Sequence, residues 1–214
     1  MKHKGKILDL CCGAGRISIP LAQMGFNVVG IDNNLKMIKT AKKLKRKLNV
    51  KNVKFIYADT SQKGGLGENQ YDYALLINSF EDIASKEKKK YILKNVFLSL
   101  KDGGLFIMSS QGCFLPSKIP LFLFFYNLNY FIKRITFSET SLDLNDIIFY
   151  EKNKKRFYHL YFPWEIKKII KETGFKLFEI IPLNVLDKRK NRFKNLKIYW
   201  CIKSFLHCYW IMFK

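Results

Sequence analysis

ILDLCCGAGRISIPLA, residues 7–22, sets an apolar run against a Gly-Ala-Gly turn and a helix-period tail. Together with Lys6, the segment KILDLCC (6–12) reads as a buried strand, and Gly13 to Gly15 turn the chain into a helix carrying Ile17, Leu21 and Ala22. Pro20 is tolerated there because it falls near the first turn, where backbone donors are unpaired anyway. Working outward, the same alternation repeats. NVVGID (27–32) is a second strand, and Asn33 or Asn34 caps a helix whose Met37, Ile38, Ala41, Leu44 and Leu48 share one face. VKFIYAD (53–59) and YDYALLINS (71–79) are the third and fourth strands. A helix over about 86–100 points Ile92, Leu93, Val96 and Leu100 inward and stops at Asp102-Gly103-Gly104, before the strand LFIMSS (105–110). Strict alternation predicts parallel strands joined by right-handed crossovers. The expected fold is α/β, a doubly wound and mostly parallel seven-stranded sheet with helices on both faces.

Past Gln111 the regularity lapses for about fifty residues, with the aromatic-rich LFLFFYNLNYF and the acids Asp143 and Asp146. A helix then opens at Pro163 with Ile166, Ile169 and Ile170 inward and ends at Gly174. FKLFEIIP is a sixth strand, and a basic segment (187–197) and a short apolar helix lead to a last strand, CYWIMFK. These segments predict one domain over 1–214, with an insertion at about 113–162 placed as a lid.

Composition narrows the function classes. A net charge of +22, from 39 Lys and Arg against 17 Asp and Glu, suggests a basic surface, yet only six of those cations are Arg, the better bidentate phosphate reader. Lys, Ile, Asn, Phe and Tyr are abundant throughout, as an AT-rich coding sequence produces, so part of the charge is compositional. Five scattered cysteines without C-x-x-C spacing, and three histidines without an H-x-x-x-H pair, argue against a structural metal site and for reduced thiols in a cytoplasm. The opening MKHKGKILDL contains no signal-peptide pattern. The most lipid-like run, 119–132, falls short of the ~20 residues a membrane span needs.

Ligands of open α/β sheets bind at the carboxyl ends of the strands, where Asp9 to Gly15, Asp32, Asp59 and Asn78-Ser79 converge. A nicotinamide fingerprint would require a third glycine where Ser18 stands. Read instead as D-x-x-x-G-x-G from Asp9, followed by acidic ends to strands two and three, the pattern resembles class I S-adenosylmethionine-dependent methyltransferases of Rossmann-like fold. LDLCCGAG, VVGIDNN, IYAD, YDYALLINS, LKDGGLFIMSS and FPWEIKKIIKETGF occur in family order over nearly the whole chain. The resemblance implies S-adenosylmethionine as cofactor and a pocket formed by Asp9, Cys11, Gly13, Ala14, Gly15, Arg16, Asp32, Asn33, Met37, Asp59, Thr60, Asn78 and Ser79. In it Asp32 accepts both ribose hydroxyls and Asp59 the adenine amino group. Each carboxylate has an alternative as a helix N-cap, and Arg16 either holds the cofactor carboxylate or is a solvated side chain. Cys11 stands where the family most often has its first glycine. Cys12 is expected in strand-helix packing, and the vicinal pair lacks the geometry of an ordinary disulfide.

Methyl transfer from a sulfonium needs in-line placement and exclusion of water more than a nucleophile or metal. Where the acceptor must lose a proton, Tyr126, Tyr158 and His159 are the candidate bases, His159 having the alternative of a partly buried strand histidine. Only MKHKG precedes the first strand, so either the fold is minimal or the chain starts downstream of the usual first residue; the insertion is expected to carry most of the lid. Its apolar, aromatic composition favours a small-molecule acceptor. The alternative is tRNA or other RNA, read from the basic runs KKLKRK and DKRKNRFKNLK and from RFYHLYF, which faintly resembles wobble-uridine tRNA methyltransferases. A third reading, a non-catalytic binding protein, is opposed by the intact glycine loop and three carboxylates.

Overall fold

The structure, a computed structural model, describes residues 4–60, 66–83, 85–110, 146–151, 154–159, 161, 163–182 and 208–214. Tyr126, the 187–197 run, the apolar helix expected after it and most of the 113–162 insertion lie outside these residues.

Seven strands form one sheet. They are β1 (Lys6–Leu10), β2 (Asn27–Asp32), β3 (Val53–Tyr57), β4 (Tyr71–Leu76), β5 (Leu100–Ser110), β8 (Lys176–Pro182) and β9 (Cys208–Phe213). Their order is β3-β2-β1-β4-β5-β9-β8, and only β9 runs antiparallel to its neighbours. Helices α1 (Ser18–Gln23) and α2 (Leu35–Lys47) cover one face; α3 (Lys86–Ser99) and α4 (Pro163–Thr173) cover the other. The chain order reverses beside β1, so the crevice sits where the expected fold puts it.

The period of two along a strand explains the two cores. Ile7 joins α1 and α2 in one, while Leu8 and Leu10 join α3, α4, Phe106 and Trp210 in the other. With both faces covered, β1 and β4 carry near-continuous apolar runs.

The helix ends follow local chemistry. Asn34 is the N-cap of α2, its side chain accepting from the backbone N–H of Lys36 (3.0 Å) and Met37 (3.3 Å). Ser85 caps α3, accepting from the N–H of Lys88. Two expectations are corrected. Helix α2 buries Ile38 and Ala41 only, leaving Met37, Leu44 and Leu48 partly exposed, because it covers the β2–β3 edge of the sheet rather than its middle. Helix α3 ends at Ser99, not at the glycines. Leu100 already pairs with Tyr71 and Leu105 with Tyr73, so the intervening residues bulge from β5, with Gly103 at φ +74°.

The sequence also held a feature that periodicity did not show. Strands β6 (Asp146–Glu151) and β7 (Lys154–His159) pair antiparallel as a separate ribbon, Asp146 opposite His159 at its base.

Candidate functional site

The loop after β1 makes three left-handed steps, at Cys11 (φ +53°), Gly13 (φ +55°) and Gly15 (φ +81°). It is closed by hydrogen bonds from the N–H of Cys12 to the Ile31 carbonyl and of Gly15 to the Cys12 carbonyl, both 3.0 Å. Cys11 adopts a backbone that glycine would take without strain. A Cβ at Gly13 would meet nothing within 4 Å, so this peptide borders open space.

Asp32, at the end of β2, ties the first two strand ends together. One carboxylate oxygen accepts from the N–H of Gly13 at 2.7 Å and the other from the N–H of Asn34 at 2.8 Å. Each carboxylate oxygen has capacity for a further donor. Asp32 borders a cavity of about 220 Å³ together with Cys11, Asn33, Asp59 and Thr60, all expected from the sequence. Ile31, Ala58, Asp82, Ile83, Lys88 and Ile92 complete the wall and were not anticipated. Asp82 and Ile83 lie within four residues of the strand-end pair Asn78-Ser79, so the strand-end rule extended by that much would have found them; Lys88 and Ile92, one helical turn apart on α3, carried no such signal.

The other expected residues have supporting positions. Asn78, at φ +54°, donates its N–H to Ser109 Oγ (2.8 Å), and that hydroxyl donates to Asn78 Oδ1 (3.2 Å), joining the ends of β4 and β5. The Ser79 hydroxyl donates to the Ile77 carbonyl at 3.3 Å. Ala14 is half-buried in the loop, Arg16 is exposed, and Met37 lies on the first turn of α2, exposed. Tyr158 stands on β7 opposite Ile147. His159 is buried, its Nδ1 2.5 Å from Asp146 Oδ1 and its Nε2 3.5 Å from Glu165 Oε1.

Asp9 lies beneath the loop, 2% exposed, and accepts from Ser18 Oγ at 2.5 Å. Burial raises its carboxyl from the ordinary 3.8 to about 7, opposed by the Ser18 bond and reinforced by the charge of Asp32. Between those values the folded protein holds a proton that the unfolded chain has released. Stability is therefore expected to fall as pH rises from about 4 to about 7, and Asp9→Asn to flatten that slope in urea titrations at fixed pH. An unchanged slope would show that Asp9 is ionised throughout.

Burial, with the charges of Asp32 and Asp9, pushes the Cys11 thiol up to about 12 and raises that of Cys12 as well. Cys12 is packed in the α1–α2 core, as expected, its Sγ 2.9 Å from where a Cβ on Gly30 would stand. Neither supplies a thiolate at neutral pH. Iodoacetamide at pH 8 is expected to leave both unlabelled in the native protein and to label both in urea, read by peptide mass mapping. Native labelling of either would overturn this placement. Among the described residues no group of three His, Cys, Asp or Glu side chains could hold a metal ion, and no helix is long and apolar enough to cross a membrane.

Residues 1–174 match the family described as Methyltransferase domain. The chain belongs to the class I S-adenosylmethionine-dependent methyltransferase family. This methyltransferase is 31% identical over 115 residues to the putative methyltransferase YqeM of Bacillus subtilis, covering 53% of this chain and 45% of that one. It is 33% identical over 107 residues to the ubiquinone biosynthesis O-methyltransferase of Rickettsia akari, covering 50% of this chain and 40% of that one. The chain thus spans under half the length of these curated relatives. A solved S-adenosylmethionine-dependent methyltransferase from Methanosarcina mazei superposes with a TM-score of 0.75 at 17% identity, covering 100% of this chain and 94% of that one. S-adenosylmethionine is the cofactor of the family, and the residues present fit it: a carboxylate oriented by two backbone donors beside the cavity, and a glycine peptide open to close approach.

Proposed function

We propose that this methyltransferase transfers the methyl group of S-adenosylmethionine to a small-molecule acceptor. The observation that carries the reading is Asp32, whose two carboxylate oxygens are each fixed by a backbone N–H at the edge of the cavity. So held, the carboxylate accepts from the two ribose hydroxyls without further reorganisation. Asp59 accepts from the adenine amino group, and Ile31, Ile83 and Ile92 supply apolar wall to the base. The peptide of Gly13 borders the methionyl portion. The cofactor supplies an electrophilic methyl; the chain binds and orients it and excludes water. The thiols stay protonated and take no part, which accords with a reducing cytoplasm.

The acceptor side is assigned to the 113–162 segment, of which the described part is the β6–β7 ribbon and Tyr161. A small molecule is supported by the Rickettsia relative, whose name gives an O-methyltransferase of ubiquinone biosynthesis. One observation favours RNA as a second reading: α2 carries seven Lys and Arg and no Asp or Glu. Incubation with methyl-labelled cofactor and either a small-molecule extract or total RNA separates the two. Label in the extract supports the first reading. Label in RNA alone, with binding that weakens steeply with salt, replaces it with the second.

A further inference from the structure

We propose that His159 is a positioning residue, clamping the β6–β7 ribbon onto α4 and onto the loop after β4 and so holding the cavity wall that Asp82 and Ile83 form. The proposal rests on the reading of that cavity as the cofactor site.

His159 closes the base of the ribbon, where its Nδ1 meets Asp146 on the opposite strand at 2.5 Å. Its other ring nitrogen faces Glu165 of α4 at 3.5 Å. Its backbone N–H donates to the Glu81 carbonyl at 3.1 Å, immediately before Asp82. Tyr161, two residues on, repeats the attachment: its hydroxyl donates to the Phe80 carbonyl at 3.3 Å, and its ring stacks on Phe80 at 5.2 Å and lies 4.4 Å from the imidazole. Phe80, Glu81, Asp146, His159 and Tyr161 are each at most 3% exposed. The loop that walls the cavity on one side is thus held on the other by the ribbon. Packed interiors pass such constraints between adjacent elements.

The groups facing the imidazole are Asp146 on β6, Glu165 on α4, Lys89 on α3 and the ring of Tyr161, which itself feels the charge of Glu81. Burial and Lys89 disfavour its charged form; the two carboxylates outweigh them and raise its pKa above the usual 6.5. Only the imidazolium donates to both carboxylates at once. Loss of the proton facing Glu165 releases the link to α4 and leaves a ring lone pair against a carboxylate. The clamp is fully formed at or below pH 6.5 and weakens as pH rises through the raised value.

The test is S-adenosylhomocysteine binding by calorimetry from pH 6 to 8.5, with hydrogen exchange of the amides of residues 80–83 followed alongside. In the wild-type chain, affinity is expected to fall and exchange to quicken as pH rises. His159→Gln, which retains a donor but no charge, should bind about tenfold more weakly at pH 6, within the usual range of coupling between sites. It should exchange faster at 80–83 and lose the His159 part of the pH profile; any slope left belongs to Asp9 and disappears in Asp9→Asn. Should His159→Gln not fold, Glu165→Gln, at a partly exposed position, should move the inflection to lower pH. Wild-type affinity, exchange and inflection in whichever of these variants folds would overturn the clamp. If the wild-type chain binds no S-adenosylhomocysteine at all, the cofactor reading fails instead, while exchange at 80–83 still decides the clamp, because it needs no ligand.

Discussion

Asp32→Ala is expected to reduce affinity for S-adenosylhomocysteine by about a hundredfold or more. A hydrogen bond to a charged group contributes about 1.5–3 kcal/mol, and two ribose hydroxyls lose their acceptor, so even the lower figure for each gives roughly two decades. The same side chain also holds the N–H groups of Gly13 and Asn34, which lose their partner and loosen both strand-end loops. Asp32→Asn is the sharper variant, because its shape is kept while one of the two acceptor atoms becomes a donor turned against a backbone N–H. Both are to be measured by calorimetry with thermal unfolding as the control for folding. Wild-type affinity in a folded Asp32→Ala protein would remove the basis of the proposed function.

The largest effect on stability is expected from Gly15→Val. A Cβ at Gly15 would stand 2.6 Å from Phe55 Cζ and 3.0 Å from its Cε1, and the backbone there is at φ +81°. Phe55 cannot simply withdraw: it is 5% exposed in the core, and its ring also lies 2.9 Å from where a Cβ on Gly30 would be. Left-handed backbone costs an L-residue about 1–2 kcal/mol, and overpacking a filled core typically adds about 1–3 kcal/mol. The sum is a large share of the roughly 5–15 kcal/mol that separates folded from unfolded domains. Urea denaturation should show the loss, and Phe55→Leu in the same chain should restore the steric part but not the backbone part. A change below about 1 kcal/mol would mean that the loop relaxes where this packing says it cannot.

What could be read in advance divides along physical lines. Strands β1 to β5 and helices α2 to α4 were legible because buried parallel strands are continuously apolar and helices repeat every 3.6 residues. Cys11, Asp32 and Asp59 were legible as cavity residues because they stand at or just past strand ends, and Asn33 and Thr60 through the pocket that the family resemblance implies. Asp82, Lys88 and Ile92 reach the same cavity from a loop and a helix, where a charged residue ordinarily reads as solvated surface and an isoleucine as core. The exposure of Leu44 and Leu48 reflects which part of the sheet α2 covers, a tertiary fact that the pattern of one helix does not carry. The β6–β7 ribbon was missed because alternation in DIIFYE and KKRFYH is weak. The pairing of Asp146 with His159 depends on the ribbon's register, which no single segment displays.

The place of β9 has a bearing on how the chain comes to be folded during synthesis. Its residues pair with β5 on one side and β8 on the other, and the backbone N–H of Lys214 bonds the Gly104 carbonyl at 3.1 Å while its ammonium reaches the Leu100 carbonyl at 2.7 Å. Among the described strands, the one furthest along the chain is therefore the one that joins β8 to the rest of the sheet. Until β9 emerges from the ribosome, β5 and β8 lack the described strand that pairs with both, an arrangement that leaves strand edges open to another nascent chain. A strand inserted between two others so late makes sheet completion a long-range event, and slow refolding with a pronounced dependence on protein concentration is its natural kinetic signature.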